Sequence, residues 1–465
     1  MAKIQAEMMR PTFDGIQPQA AEIPTIEDKI IGTEQILKAT ETMRKYREGK
    51  ARLESKIINN EEFWKLRQWN GEGDVPSTAW LWSCIQSRYS DAMDSYPTCN
   101  FLPRQEDDKA EAQKLSEIVP VILQQNDYES VYADATLYFL KQGGMVQGVF
   151  WDGNKNNGLG DIKIAKVDLL SLFWSPAIKD IQDSPHLFYT ELVDNDLLEQ
   201  RYPQTKGKLS GAKTVNVAKY IYDDTLDTSE KSVVVDWYYK KEVNGRRTVH
   251  LVKYVNNIVL YATENDTEVP MTTQVDEQTG LPISYPAGES LAERGLYDHG
   301  LYPFVMTSLF PVEGSLCGYG LTDIGRDAQV SIDIMNKALL DNTVVNSKPR
   351  AFIRNDGTVN EEEFLNTEQT LIHCEGNVDE TNIRFVNANN INGTYISMMQ
   401  AKIDELKYTT SNQDVNNGIA TSGITAGSAI ASLQEVAGKN ARNTNLTVHR
   451  AFKEVVYQVV ELIRQ

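Results

Sequence analysis

The sequence predicts an α+β fold, and three observations predict it. Helical periodicity fills both ends of the chain, alternating β-branched and aromatic residues with hairpin turns fill its middle, and the last third strings long helices around an insert and a glycine-rich loop. For 465 residues this order suggests roughly two to four folding units. No internal repeat is visible.

Residues 1–24 carry Pro11, Pro18 and Pro24 among scattered polar residues and read as a flexible arm that orders against a partner. From Thr25 to about Gly71, Ile30, Ile36, Leu37 and Met43, then Phe63, Trp64, Leu66 and Trp69, recur at helical spacings amid Glu, Lys and Arg. Asp108 to Gln125 and Ser130 to Gln142 read as helices, the second closed by Gly143-Gly144, and Gly144 to Gly153 as a strand ending in a turn. Strands are expected across Asp161 to Trp174 and Val233 to Thr263, with Asn244-Gly245 and Asn256-Asn257 as hairpin signals. Asp194 to Arg201 between them is a short helix ended by Tyr202-Pro203, and Pro270 to Tyr297, dense in Gly and Pro, reads as a long surface loop. Gly318 and Gly320 predict a tight turn before a long helix, with Thr322 or Asp323 as its N-cap.

That helix is expected from Asp323 to Asn346, about 36 Å long, and Lys348-Pro349 stops it. After an acidic, turn-rich insert, a second helix of similar length runs from Thr394 to about Ser411 on the stripe Ile396, Met399, Ile403 and Leu406, so the two can lie antiparallel. Gln413 to Gly427, with Gly418, Gly423 and Gly427 among small polar residues, reads as a mobile loop. From Ser428 an apolar residue recurs every three or four positions through Leu462, weakest around Asn443 to Asn445, where a bend is expected. Leu462 and Ile463 keep the period with no Gly or Asn cap before Gln465, so the natural chain is expected to run on.

Charge and motif content exclude several functions. A net charge of -19, from 46 Lys and Arg against 65 Asp and Glu, rules out a generic nucleic-acid glue. Cys84, Cys99, Cys317 and Cys374 lack a paired spacing and suit free thiols, and with no signal pattern and no apolar run near the roughly 18 residues of a membrane span, a soluble intracellular protein is expected. Around Gly314 to Gly325 there is no Gly-Lys-Ser/Thr of a nucleotide hydrolase. His373-Cys374 has no second ligand pair at metal spacing, and His186, His250, His299 and His449 sit on unrelated segments without a nucleophile elbow. The carboxylates Asp107-Asp108, Asp223-Asp224, Glu361-Glu362-Glu363 and Asp379-Glu380 lie in turn-prone contexts of solvated faces or helix starts. Trp64, Trp69, Trp80 and Trp82 interleave with Leu and Phe at helical spacing and read as core packing rather than as base-stacking platforms.

Six segments in a fixed order resemble the portal proteins of tailed double-stranded DNA bacteriophages. They are FWKLRQWNGEG (Phe63 to Gly73), LWSCIQSRYSDAMDSYPTCNFLPRQEDD (Leu81 to Asp108), DLLSLFWSPAIKDIQD (Asp168 to Asp183), YDHGLYPFVMTSLFPVEGSLCGYG (Tyr297 to Gly320), AQVSIDIMNKALLDNT (Ala328 to Thr343) and TSGITAGSAIASLQEVAGKNAR (Thr421 to Arg442). The resemblance covers most of the chain. It implies a ring, usually of twelve subunits, with a wing at 25–312 (helical over 25–142, β-rich over 143–312) after the arm at 1–24. A turn and first stem helix would follow at 313–347, a clip at 348–390, a second stem helix at 391–412, a tunnel loop at 413–427 and a long wing helix at 428–465 leading toward a short or absent crown.

The resemblance further implies a head-to-tail connector at a capsid vertex, assembled in the host cytoplasm, without catalysis, cofactor or metal. Its partners would be further copies of itself, double-stranded DNA passing without sequence preference, the terminase large subunit, head-completion or adaptor and tail proteins, and the major capsid and scaffolding proteins, with no membrane. Site residues are expected in three groups. Tunnel-loop contacts are Asn412, Gln413, Asp414, Asn416, Asn417, Thr421 and Ser422, whose one charge suits weak, exchangeable bonds to a sliding polyanion. The clip offers Arg350, Arg354, Glu361, Glu362, Glu363 and Arg384, with strands at Ala351 to Ile353, Leu371 to His373 and Ile383 to Val386 able to add to a neighbour's edge. The stem carries Asp323, Arg326, Asp327, Lys337, Lys402 and Lys407, where Lys402, Lys407, Lys439 and Arg442 are expected to pair with Asp404, Glu405 or Glu435 rather than to steer phosphate. Two rivals belong to other classes: a metal-dependent nuclease or packaging enzyme using the carboxylate groups, and a capsid structural or adaptor protein without a DNA channel.

Overall fold

The structure is a computed structural model that describes residues 31–69, 75–209, 229–275, 282–286, 288–347, 350–353, 360–366, 373, 375, 383–386, 393–412 and 439–465. Five helices open it: α1 (Thr33–Gly49), α2 (Ala51–Trp64), α3 (Trp80–Met93), α4 (Lys109–Gln125) and α5 (Tyr128–Gln142). At Gly143 the chain turns through φ 82°, a conformation only glycine adopts freely, and becomes β1 (Gly144–Asp152). Strands β2 (Asp161–Val167), β3 (Leu172–Trp174) and β4 (His186–Asp194) follow, then α6 (Asn195–Arg201), β5 (Lys231–Val243), β6 (Arg246–Val255) and β7 (Ile258–Ala262). Strands β3 to β7 form one antiparallel meander in chain order. Both expected hairpin signals turn it, with Asn244 at φ 51°, Gly245 at φ 77° and Asn256 at φ 50°.

Two expectations for the middle fail. Pro270 to Tyr297 is not one long loop: β8 (Met271–Val275) and β9 (Pro282–Pro286) pair antiparallel, Met271 opposite Pro286 and Val275 opposite Pro282, and α7 (Leu291–Arg294) follows. The proline density hid this ribbon, because both prolines of β9 sit at the ends of the ladder, where a missing N–H is tolerated. After β10 (Phe304–Ser308), β11 (Phe310–Val312) turns at Gly314 into β12 (Ser315–Tyr319), so Gly318 lies in a strand and not in a tight turn. Gly318 is required by close approach, since a Cβ there would stand 2.0 Å from the Phe310 carbonyl oxygen.

The last third is α8 (Leu321–Ser347), β13 (Arg350–Ile353), α9 (Glu361–Leu365), β14 (Ile383–Val386), α10 (Gly393–Thr409) and α11 (Lys439–Arg464). Helix α8 starts two residues before the expected position, and Asp323 is not its N-cap: its Oδ2 reaches back to accept from the Gly320 N–H at 2.8 Å. Helix α11 runs unbroken through Asn443–Asn445 instead of bending there. Its apolar stripe weakens at that point because polar contacts take over: Arg88 of α3 donates to Thr444 Oγ1 at 3.4 Å, and Asn445 donates to the Asp91 carbonyl at 3.5 Å.

The largest core joins α3, α4, α5, α8, α10 and α11 to the three-stranded sheet β10-β1-β2, around Tyr128, Tyr132, Phe139, Leu406 and Val455. A second core fills the space between the two large sheets with Tyr238, Tyr302 and Phe304, and a third seats Ile36 and Ala39 of α1 on Phe188, Trp237 and Tyr254 of the meander. The packing reading holds for Trp64, which stacks on Trp82 with centroids 5.7 Å apart, but Trp80 and Trp82 remain 38% and 40% exposed.

Candidate functional site

Helix α8 is the member on which the other elements converge. Leu321, Gly325, Ala328 and Ile332 recur at three- and four-residue steps and bury one face of its first half. At Gly325 a side chain has no room, since a Cβ would lie 2.5 Å from Leu81 Cδ1 of α3 and 2.8 Å from Leu406 Cδ1 of α10. Three helices therefore cross at one glycine.

The start of α8 is locked to α2 and α5. Lys56 Nζ donates to the Gly318 carbonyl at 2.7 Å and to Asp323 Oδ2 at 3.0 Å, while Asn60 Nδ2 donates to Asp323 Oδ1 at 3.0 Å. Beside it Lys141 meets Glu61 at 2.8 Å, and burial pulls its ammonium below the ordinary value against the attraction of that carboxylate. The two chain reversals also touch backbone to backbone: a Cβ on Gly143 would lie 2.2 Å from the Tyr319 carbonyl carbon, and one on Gly320 would lie 2.3 Å from the Lys141 carbonyl oxygen.

Two turns past the crossing, Asp333 is fully buried and accepts five hydrogen bonds. Thr78 N–H (2.9 Å), Thr78 Oγ1 (2.6 Å) and Gln329 Nε2 (2.9 Å) donate to its Oδ1, and Gln68 Nε2 (2.9 Å) and Trp69 Nε1 (3.1 Å) donate to its Oδ2. Asp333 thus clasps Gln68, Trp69 and Thr78 to the helix. Sequence reasoning missed Lys56, Asn60, Gln329 and Asp333. The available signal was a pair of polar residues, Gln329 and Asp333, spaced i, i+4 on the apolar side of a helix.

Beyond Asp333 the helix leaves the body. It packs on α10, yet Ile334, Leu340, Val344 and Val345 are 52%, 48%, 57% and 43% exposed, as are Tyr395, Ile396 and Met398 of α10 at 57%, 55% and 53%. The expected stem charges lie along this pair. Lys402 pairs with Glu405 at 2.6 Å, as expected for the helix face, Lys337 pairs with Asp341 at 3.4 Å, and Arg326 stands 3.7 Å from an exposed Asp327. Lys407 lies over the Trp80 ring, its Nζ 5.7 Å from the centroid.

In the insert, β13 and β14 pair within one chain, Arg350 opposite Val386 and Phe352 opposite Arg384. The Glu361–Leu365 helix is capped by Asn360, and hydrogen bonds from the His373 backbone N–H (2.7 Å) and contact with its Nδ1 (2.9 Å) hold the Glu363 carboxyl below the usual carboxylate range. His373 itself is not in a strand, Glu362 is exposed, and Arg354 lies outside the described residues. So do Gln413, Asp414, Asn416, Asn417, Thr421 and Ser422, along with Asp223, Asp224, Asp379 and Glu380. Asn412, the described member of the tunnel-loop set, is 5% exposed and takes its place in the turn that ends α10, its N–H donating to the Lys407 carbonyl at 2.8 Å.

Among the described residues no group of three or more His, Cys, Asp or Glu side chains is arranged to hold a metal ion, and no helix is long and apolar enough to cross a membrane. The family profile described as Phage P22-like portal protein matches residues 89–465, from within α3 to the last residue. The chain belongs to that family. No curated protein sequence matches it. Portal proteins are structural members of the phage capsid vertex that connect head to tail and serve genome packaging, and this subunit is one of them. The family forms ring oligomers that meet capsid, terminase and DNA.

Proposed function

We propose that copies of this portal subunit close into a ring around a channel for double-stranded DNA, with α8 and α10 as its stem. The observation that carries this reading is the far half of the α8–α10 pair, whose seven apolar side chains stand about half exposed on a single subunit. A run of exposed apolar surface on two paired helices marks a protein–protein contact. A ring of identical subunits covers it with the flanks of the next copy.

In this reading residues 25–312 form the wing, 348–390 the clip and 413–427 the tunnel loop, with 428–465 as the long helix behind it. The clip, with Arg350, Arg354, Glu361, Glu362, Glu363 and Arg384, docks the terminase large subunit during packaging and the head-completion and tail proteins afterwards. Gln413, Asp414, Asn416, Asn417, Thr421 and Ser422 touch the passing duplex weakly and without reading bases. A net charge of -19 suits a conduit, because an acidic wall lets a polyanion slide. The work of translocation comes from the separate terminase ATPase.

Electron microscopy of the purified protein, classed by rotational symmetry, tests the assembly. Rings with a hole about one duplex wide, ~20 Å, support it, and a compact oligomer without a channel refutes it. Deleting 413–427 tests the loop: intact rings with impaired packaging or genome retention are expected, and normally filled heads would sink its role.

A further inference from the structure

We infer that the open flank of α8, led by Asp327, packs into the groove between α2 and α8 of the next copy, and that this pairing of unlike flanks sets the direction of the ring. The inference rests on the ring reading above.

At about 100° of turn per residue, α8 presents one buried line and two flanks. Leu321, Gly325 and Ala328 fall within about 40° of Ile332 and meet the body. Ile324, Asp327, Ile334, Ala338 and Val345 fall about 80–160° to one side of that line. This flank is open along its length: the Asp327 side chain is 95% exposed, and Ile324, Ile334 and Val345 are 39%, 52% and 43% exposed. Arg326, Val330, Lys337, Leu340 and Val344 fall about 80–160° to the other side. Its root is walled. Arg326 and Val330 line a groove of about 330 Å3 together with Glu62, Phe63, Arg67 and Trp69, and only beyond it do Leu340 and Val344 stand out, 48% and 57% exposed.

The flanks are also unlike in charge. The open one carries Asp327 and no cation, whereas the walled one carries Arg326 and Lys337, and its groove sets two guanidinium groups against the single carboxylate of Glu62. Asp341 lies on the ridge between the flanks, where it pairs with Lys337 at 3.4 Å. A cyclic ring holds equivalent residues of all copies at equal height, so each residue of one flank meets residues of nearly the same number on its neighbour. Asp327 then comes level with Arg326 of the next copy to within one residue, about 1.5 Å of rise, and Val345 comes level with Val344. Carboxylate meets guanidinium and valine meets valine. A two-fold pair joins like flanks instead. It sets Asp327 toward Asp327, or cation toward cation, and leaves the remaining flank of both copies bare, so charge and coverage both favour the head-to-tail contact.

Disulfide trapping in assembled rings tests this. Val344→Cys with Val345→Cys in one chain should give, on mild oxidation, a covalent ladder of multimers on a non-reducing gel, while either single variant stays monomeric like wild type, because equivalent positions of neighbours lie too far apart to bridge. Charge exchange is the second arm. Asp327→Lys or Arg326→Glu alone should lower ring yield more than about tenfold with the monomer's urea midpoint unchanged, and both in one chain should restore it, since every contact then sets Lys against Glu. A covalent dimer from a single cysteine variant would show like flanks meeting and overturn the inference. Rings of the double cysteine variant that give no ladder, or full ring yield from Asp327→Lys, would overturn it while leaving the ring reading intact. A wild-type chain that forms no ring under any condition would overturn both.

Discussion

Asp333→Asn isolates the clasp that ties Gln68, Trp69 and Thr78 to α8. The carboxylate is fully buried and every one of its five donors is neutral, so its charge is held by hydrogen bonds alone. An amide keeps the shape but turns one acceptor oxygen into a donor. Placed with its oxygen toward Thr78 and Gln329, it presents an NH2 group to Gln68 and Trp69; Gln68 can turn its unpartnered Oε1 to accept from it, and the Trp69 Nε1–H is left without an acceptor. At roughly 1–3 kcal/mol for a donor left unsatisfied, the loss works out at about 1–3 kcal/mol. Urea denaturation of the monomer followed by circular dichroism reads the loss, and Trp69 indole emission should shift to the red as its hydrogen bond and its cover go. A loss below about 1 kcal/mol would refute the view that this carboxylate holds the segment on the helix.

The remaining expectations concern backbone contact, titration and assembly. Gly143→Ala combines a φ of 82° with a Cβ only 2.2 Å from backbone carbon of Tyr319, so a loss of at least about 3 kcal/mol is expected in the same denaturation assay. Burial pushes the Lys50 ammonium down from 10.5 to about 7, with its Nζ held by the Leu169 and Leu172 carbonyls. The native value is the lower one, so Lys50 favours folding most above pH 10.5 and progressively less as pH falls toward 7. Measured against Lys50→Met, that advantage should shrink by about 4 kcal/mol between pH 10 and 7 and level off below, and a pH-independent difference would refute it. Burial also lowers the buried His250, which sits between Thr248 and Thr263 at 3.1 Å from each. Its contribution is intact above the unfolded value of about 6.5 and lost as pH falls below it, so His250→Gln should flatten the acid side of the stability profile. On the stem, Val344→Asn should leave monomer stability within about 0.5 kcal/mol of wild type and yet reduce ring yield in electron microscopy.

Where local chemistry decided structure, the sequence could be read. The Asn-Gly turn, the Gly143-Gly144 stop and the short helix before Tyr202-Pro203 are each set by one or two residues and stand where expected. The failures came where strand pairing or close packing overrode a local preference. Proline and glycine density marked Pro270 to Tyr297 and Gly314 to Gly320 as loop and turn, while antiparallel pairing within each segment made ribbons of them. Gly318 is a strand residue because the Phe310 carbonyl comes too close for a Cβ, a fact no neighbour in sequence records. The clasp was hidden for the same reason: its donors Gln68, Trp69 and Thr78 lie about 250 residues from Asp333, with separations of 265, 264 and 255. The family itself was legible from the order of segments, and the matched profile starts inside the second of them.

The apolar stripe on α10 is buried at one end only. Ile396, Met399, Ile403 and Leu406 form one helical face in the sequence, and a single subunit would be expected to bury all of it. Only the end near the body is buried, with Leu406 at 0% and Ile403 at 4%, while Ile396 is 55% exposed. On α8 the buried face that includes Ile332, 1% exposed, continues past Asp333 as the partly buried Met335 and Leu339. Past that point the two helices pack on each other and leave their outer apolar residues exposed, the surface that the proposed ring would cover. The polar clasp at Asp333 sits where the two regimes meet. It fixes α8 to the body through Gln68, Trp69 and Thr78, so the far half of the α8–α10 pair extends from a held base.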